Sequence, residues 1–100
     1  MDPLLSHLEG TNFLENFLRI KPEPADEKWI ELVHSSEYVR LIERAAAEAP
    51  SALDQDTRLS SNSYYVAKLA VGGVLAAVDV VMGGEVKNAF AAVRPPGHHA

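Results

Sequence analysis

Two adjacent histidines, His98 and His99, are the residues best suited to do chemistry in this sequence. A neutral imidazole can accept a proton near pH 7, polarise a water molecule or bind a metal ion. A lone histidine pair near a chain end is more often an exposed pair without a function. The residues around the pair therefore decide whether it is a functional site or an exposed pair without a function.

The residues before the histidines predict a stiff turn that follows a buried strand. Pro95 and Pro96 fix two backbone φ angles and push the residues before them toward extended geometry. Gly97 permits a backbone conformation or a close approach that a side chain would block. The apolar run Ala89–Val93 is typical of a strand that is buried on both faces of a parallel sheet. Because open α/β sheets bind ligands at the carboxyl ends of their strands, this arrangement favours a functional site.

Four helices are predicted from capping residues and from the spacing of apolar residues; they begin at Asp2, Asp26, Ser35 or Ser36, and Ser63. The last helix, from about Ser63 to Met82, is the longest, at about 30 Å. Gly72 and Gly73 lie in its middle, where each glycine costs about 1 kcal/mol relative to alanine. We therefore expect another backbone to pack closely against this helix.

Besides Ala89–Val93, the segment Phe17–Ile20 is predicted to form a short strand, and Asp54–Asn62 to form a polar loop. This order of helices and strands indicates the α/β class. A sheet of two strands is thin, because strands flanked by helices usually have more neighbours. The chain is therefore expected to be part of a larger domain.

Composition excludes several classes of function. The formal net charge is −5 at pH 7 and the nine basic residues are scattered, so direct nucleic-acid binding is not expected. There are no cysteines, which excludes disulfides and thiolate metal ligands. The apolar run Leu69–Met82 contains Asp79 and is shorter than a membrane span, and the N-terminus lacks the pattern of a signal peptide. We expect a soluble, cytoplasmic protein that does not bind membranes.

The segment Arg94–Ala100, with the sequence RPPGHHA, resembles the signature of the histone deacetylase family, which includes acetylpolyamine and other bacterial amidohydrolases. The resemblance is strongest from Asp54 onward and covers most of the chain. Further similar positions are Pro24-Ala25, His34, Tyr38, Asp56-Thr57, Ser63, Gly72-Gly73, Gly84-Glu85 and Asn88-Ala89-Phe90. The resemblance implies an α/β fold, specifically the helix-rich N-terminal part of an arginase/deacetylase-like three-layer fold with a parallel sheet. Residues 1–100 would then be a single, incomplete domain.

The resemblance also implies roles for particular residues. His98 and His99 would be the tandem active-site histidines, one acting as general base toward a zinc-bound water. The other would assist electrostatically or protonate the leaving amine. Asp56 would bind the substrate at the rim of the pocket, although the register between Asp56 and Thr57 is open.

By the same resemblance, four further residues would form the pocket. Gly97 would contact the substrate, and Arg94, Pro95 and Pro96 would shape the pocket floor and wall. His34 is expected to cap a helix or to pack between helices, and His7 to lie on the surface.

Zinc is the cofactor that the resemblance implies, but the family's zinc ligands are not among these 100 residues. The family uses an Asp-x-His pair, a further Asp and a later Tyr, all of which follow the tandem histidines. Adjacent residues on an extended segment point to opposite sides, so His98 and His99 are poorly placed to share a metal ion. We expect no metal ligands within this chain.

Three functions are compatible with the sequence. The first is the N-terminal portion of a zinc-dependent deacetylase that hydrolyses acetyl amides, with acetyl-lysine or an acetylated small molecule such as an acetylpolyamine as substrate. The second is a non-catalytic, truncated family member that acts as an oligomeric or partner-binding module. Exposed sheet edges would favour such self-association into a homo-oligomer. The third, a different α/β hydrolase that shares the His-His turn by chance, is opposed by the similarity upstream.

Overall fold

The computed structural model describes residues 2–10, 16–53 and 58–97. These residues form four helices and one hairpin: α1 (Asp2–Gly10), α2 (Glu27–Ile30), α3 (Ser36–Ala47), β1 (Ser51–Ala52), β2 (Arg58–Leu59) and α4 (Ser63–Met82). The four predicted helices are confirmed, and α4 has the predicted bounds. The second helix is shorter than its apolar pattern suggested, because the chain turns after Ile30.

Capping side chains fix the starts of α2 and α3. Asp26 accepts a hydrogen bond from the backbone N–H of Lys28 at 3.1 Å, as predicted. Ser35 accepts one from the N–H of Tyr38 at 3.1 Å, so the first of the two candidate serines is the cap. Each bond satisfies a backbone donor that has no partner within its helix.

Residues 22–25, called the strap below, pack directly against the middle of α4. A Cβ atom on Gly72 would lie 1.7 Å from the carbonyl oxygen of Glu23, so only glycine fits there. The N–H of Ala25 donates to the carbonyl oxygen of Lys68 at 2.9 Å, which ties the strap to the helix. The close backbone approach predicted from the glycine pair is therefore confirmed, and Gly72 is the residue that permits it.

The only sheet within the described residues is a two-stranded antiparallel hairpin, which sequence reasoning did not predict. Ser51 pairs with Leu59 and Ala52 with Arg58. The hydroxyl of Ser51 donates to the carbonyl oxygen of Ala45 at 2.6 Å and so joins the hairpin to the end of α3. The hairpin lies partly within the segment predicted as a polar loop.

The two predicted strands are not strands in the described structure. Residues 18–20 and 88–93 have no regular secondary structure, and Phe90 is 87% exposed instead of buried. A strand exists only where a neighbouring strand pairs with it, and no such neighbour is found among the described residues. The parallel sheet implied by the resemblance is therefore not seen in this part of the domain.

The described residues enclose almost no core. Their buried apolar side chains are small: Ala25, Val39, Ala46 and Ala70. The accessible surface is 7868 Å², whereas a compact protein of this mass exposes about 5,600 Å². The radius of gyration is 15.5 Å, against about 13 Å for a compact domain of 100 residues. The chain is an open layer of helices, with large apolar surfaces exposed.

Helix α4 is long and apolar enough to cross a membrane by length and composition, with a mean hydropathy of 1.8, and 11% of its most apolar stretch is buried. The apolar run predicted from the sequence begins only at Leu69, whereas the apolar helix begins at Ser63. One such helix is weak evidence for a span, because the core helix of a soluble protein passes the same test.

Candidate functional site

An apolar groove of about 550 Å³ lies between the helices and reaches the turn before the predicted catalytic pair. Representative residues of its walls are Trp29, Val33 and Tyr38 on the side of α2 and α3, and Lys68, Val71 and Val74 on α4. Val93 and Pro95–Gly97 line the same groove. The residues that precede His98 therefore share one surface with three helices.

The turn at residues 94–97 is exposed along its length. Gly97 has a φ of +93°, and nothing lies within 4 Å of the place where its Cβ would be. Of the two predicted reasons for a glycine here, the backbone conformation is the one observed, because this φ is unfavourable for residues with a Cβ. Pro95, Pro96 and Gly97 line the groove, and Arg94 is not among the groove residues.

His98, His99 and Asp56, the predicted catalytic and rim residues, lie outside the described residues. The four predicted site residues that the structure describes, Arg94–Gly97, are consecutive in sequence and form the turn that precedes the histidine pair. The roles assigned to all seven remain predictions.

A hydrogen bond between two side chains joins α4 to α2 at the groove. The Tyr64 hydroxyl donates to a carboxylate oxygen of Glu27 at 2.5 Å. Burial, together with this bond and the charge of Glu27, raises the pKa of the Tyr64 phenol well above its ordinary value. The Lys68 ammonium lies 5.1 Å from the centre of the Tyr64 ring, within cation–π range. At neutral pH, Tyr64 is therefore a protonated donor that holds two helices together.

This polar cluster was not found by sequence reasoning. Tyr64 and Glu27 are 37 positions apart, and neither stands in a motif that signals the contact. The strap precedes α2 and is tied to α4 by the bond from the Ala25 N–H to the Lys68 carbonyl, so it holds the start of α2 near Tyr64.

The two described histidines have the structural roles expected of them. The His34 ring packs against Tyr38, with centroids 5.2 Å apart and planes tilted by 41°, between the end of α2 and the start of α3. His7 lies on the exposed face of α1.

No group of three or more His, Asp or Glu side chains within residues 2–10, 16–53 and 58–97 is arranged to hold a metal ion. The described part of the chain therefore does not fit a metal centre by itself.

The sequence and the structure of this chain are both similar to those of known proteins. The model of the histone deacetylase domain matches residues 1–100. A probable deacetylase of Archaeoglobus fulgidus is 37% identical over 92 residues, which cover 92% of this chain and 25% of that protein. The human polyamine deacetylase HDAC10 is 35% identical over 101 residues, which cover 95% of this chain and 15% of that protein. The crystal structure of the HDA15 HD domain superposes with a TM-score of 0.76 at 34% identity, covering 83% of this chain and 24% of that one.

The chain belongs to the histone deacetylase family. The resemblance inferred from the RPPGHHA segment is thereby confirmed, and the structural similarity to a deacetylase domain is consistent with the predicted α/β class. The chain spans a quarter or less of the length of these relatives.

Proposed function

We propose that this chain is the N-terminal portion of a zinc-dependent deacetylase that hydrolyses acetyl amides. The observation that supports it most is the match of the deacetylase domain model to all of residues 1–100. The match includes the turn, where Pro95–Gly97 border an apolar groove and lead directly into His98 and His99. In the complete domain, this part would belong to a three-layer fold with a parallel sheet.

In this proposal, the two histidines move the proton. One imidazole of the His98–His99 pair accepts a proton from the water that attacks the acetyl carbonyl carbon. The amine then leaves as the C–N bond breaks, and an imidazolium returns a proton to its nitrogen. Asp56 binds the substrate at the rim of the pocket, Gly97 contacts it, and Arg94, Pro95 and Pro96 hold the pocket wall.

Zinc would be held by residues outside the described ones, since no group of His, Asp or Glu among the described residues is arranged as a ligand set; when bound, it would polarise the acetyl carbonyl and the attacking water. The expected ligands are carboxylates and a histidine that follow the tandem histidines in a complete domain.

The proposed substrate is an acetylated amine, either acetyl-lysine in a protein or an acetylated small molecule. The two relatives reported above carry the names probable deacetylase and polyamine deacetylase, which supports this class without choosing between its members. We propose a cytoplasmic location and no direct contact with nucleic acid, in keeping with the acidic composition.

A second candidate is a non-catalytic family member that acts as an oligomeric or partner-binding module. The large exposed surface and the very small core favour it, because a lone layer of helices needs a covering partner. Under this candidate, no acetyl amide is hydrolysed, whatever the length of the polypeptide.

The test is acetate release from an acetyl-lysine peptide and from N-acetylputrescine by the polypeptide as its native source makes it. We expect turnover of at least one substrate, and removal of zinc by a chelator should abolish it. His98→Ala and His99→Ala should each lower the rate by about 10²–10⁴-fold, as is usual for loss of a general acid or base.

The matched control is His7→Ala, because His7 is an exposed histidine on α1, remote in sequence from the turn. Its rate should equal that of the parent. Turnover that survives both active-site substitutions would contradict the assigned roles, and absence of turnover with both substrates would favour the non-catalytic module.

A further inference from the structure

Val93 is the last half-buried side chain before the histidine pair. Residues 87–91 and 94–97 are exposed, and Ala92 and Val93 lie half-buried between them. The segment that ends in the turn is therefore most closely packed against the rest of the protein at these two residues.

Val93 packs against Gly73, at a point where three segments meet. A Cβ atom on Gly73 would lie 3.7 Å from Cγ1 of Val93 and 3.5 Å from Cβ of Pro22 in the strap. The strap is itself tied to α4 by the bond from the Ala25 N–H to the Lys68 carbonyl at 2.9 Å. The bare surface of Gly73 and the ring of Pro22 are called the Gly73 seat below, and the side chain of Val93 rests on this seat.

The turn can carry the position of Val93 toward the histidines, because it is stiff. Four residues separate Val93 from His98. Pro95 and Pro96 fix two of the φ angles in this stretch, and each holds the residue before it in extended geometry. A shift of Val93 is therefore passed along the turn as far as Gly97 instead of being absorbed within it.

We propose that Val93 is a positioning residue for the histidine pair. Held on the Gly73 seat, its side chain fixes where the turn begins and so where His98 and His99 lie relative to the substrate. The inference rests on the proposed function, since it adds a residue to the same site. A misplacement of about 1 Å can lower a catalytic rate about 10²-fold, so a small shift at the seat is sufficient to affect turnover.

Substitutions of increasing size at Gly73 test the proposal in the polypeptide as its native source makes it. A valine at this position is confined to one main rotamer in a helix, and its methyl groups would lie beyond a Cβ that already contacts Val93 and Pro22. We expect Gly73→Val to displace Val93 and to lower kcat for acetate release by about 10–100-fold, with KM within about twofold of the parent. Gly73→Ala, whose methyl group makes ordinary contacts, should lower kcat by less than about threefold.

Substitutions of Val93 test the same contact from its other side. Val93→Ala removes Cγ1 and should lower kcat by about tenfold, whereas Val93→Ile keeps this atom and should retain at least about a third of the parent kcat. Each kcat is expressed per folded molecule. A merely structural role would reduce the folded fraction and leave this value unchanged, so unchanged kcat in Gly73→Val and Val93→Ala would overturn the proposal.

A pair of introduced cysteines tests the contact without measuring activity. Residues 1–100 contain no cysteine. A γ atom of residue 93 lies 3.7 Å from the Cβ position of residue 73, which is close to the geometry that a disulfide requires. Gly73→Cys with Val93→Cys should therefore form a disulfide under a mild thiol oxidant, identified by mass spectrometry of the joined peptides.

Gly73→Cys with Ala92→Cys is the matched control, because Ala92 is also half-buried but has no atom within 4 Å of that Cβ position. Equal disulfide formation in the two pairs would show that Val93 does not rest on the seat. If the parent hydrolyses neither substrate, the proposed function fails and the positioning role fails with it. Disulfide formation specific to residues 73 and 93 would then show that only the function was wrong and that the contact is correct.

Discussion

At the residue scale, the hydrogen bond between Tyr64 and Glu27 links two side chains that are 37 positions apart in the sequence. It joins helices that are far apart in sequence, and it lies beside a groove that is otherwise apolar. The phenol acts as a donor, and its raised pKa follows from burial and from the adjacent carboxylate. The contact is structural, since a phenol held in its protonated form is a poor nucleophile or base.

Replacing Tyr64 with Phe should lower the free energy of unfolding at pH 7 by about 1 kcal/mol, the usual net value of one hydrogen bond. The raised pKa adds a pH dependence. Above the ordinary tyrosine pKa of 10.0, the unfolded chain releases the phenolic proton while the folded chain keeps it. The folded state then binds more protons, so the stability of the parent falls as the pH rises.

Because Tyr64→Phe lacks this group, its stability should fall less steeply above pH 10 and the gap to the parent should narrow. Urea unfolding at pH 7, 9 and 11 measures both effects. Tyr65→Phe is the matched control, a neighbouring and more exposed tyrosine at 54%. If Tyr65→Phe changes the pH profile as much as Tyr64→Phe does, the assignment to Tyr64 is wrong.

At the element scale, α4 and the strap form the framework that holds the other parts. The carbonyl oxygen of Lys68 in α4 accepts a hydrogen bond from the N–H of Ala25 in the strap. The absence of a side chain on Gly72 leaves room for the backbone of Glu23. Gly73 differs, because a Cβ there would meet Pro22 and Val93 only at 3.5 and 3.7 Å, an ordinary contact.

The two glycines therefore predict opposite results for the same substitution. Gly72→Ala should lower the free energy of unfolding by about 1–3 kcal/mol or more, since the strap must move away from the helix. Gly73→Ala should be neutral or stabilising by up to about 1 kcal/mol, from better helix propensity. The free energies of unfolding of the two variants and the parent are compared through their urea unfolding midpoints. Equal destabilisation by both substitutions would show that the strap does not pack as described.

Local patterns were sufficient to predict the helices and the need for a close backbone at Gly72-Gly73. Asp26 and Ser35 are short-range signals, because each caps a helix two or three residues away. The hairpin of β1 and β2 was missed, since its pairing of only two residues per strand leaves no periodicity to detect. The strand predicted at Ala89–Val93 failed for the opposite reason: its apolar run is a good pattern, but strand pairing depends on distant segments.

In the candidate site, too, the local features could be predicted from the sequence and the features that depend on tertiary packing could not. The turn before His98 was predicted from the prolines and Gly97, and the positive φ at Gly97 agrees with that prediction. That this turn borders a groove shared with α2, α3 and α4 could not be predicted, because it depends on the packing of segments that are not neighbours in the sequence.

At the scale of the whole molecule, the described residues form an open layer of helices with four small buried apolar residues and a wide apolar groove. The proteins that this chain resembles are four or more times as long as the matched segment. In our proposal, this chain supplies the helical layer and the signature turn, and the zinc ligands come from outside the described residues.

The most direct test of this account is the intact mass of the protein as its native source makes it. The 100 residues have a mass of 10.9 kDa. A mass several times larger is expected, which would make His98 and His99 part of a complete deacetylase domain. A mass of 10.9 kDa would contradict the account and leave the non-catalytic module as the function to test.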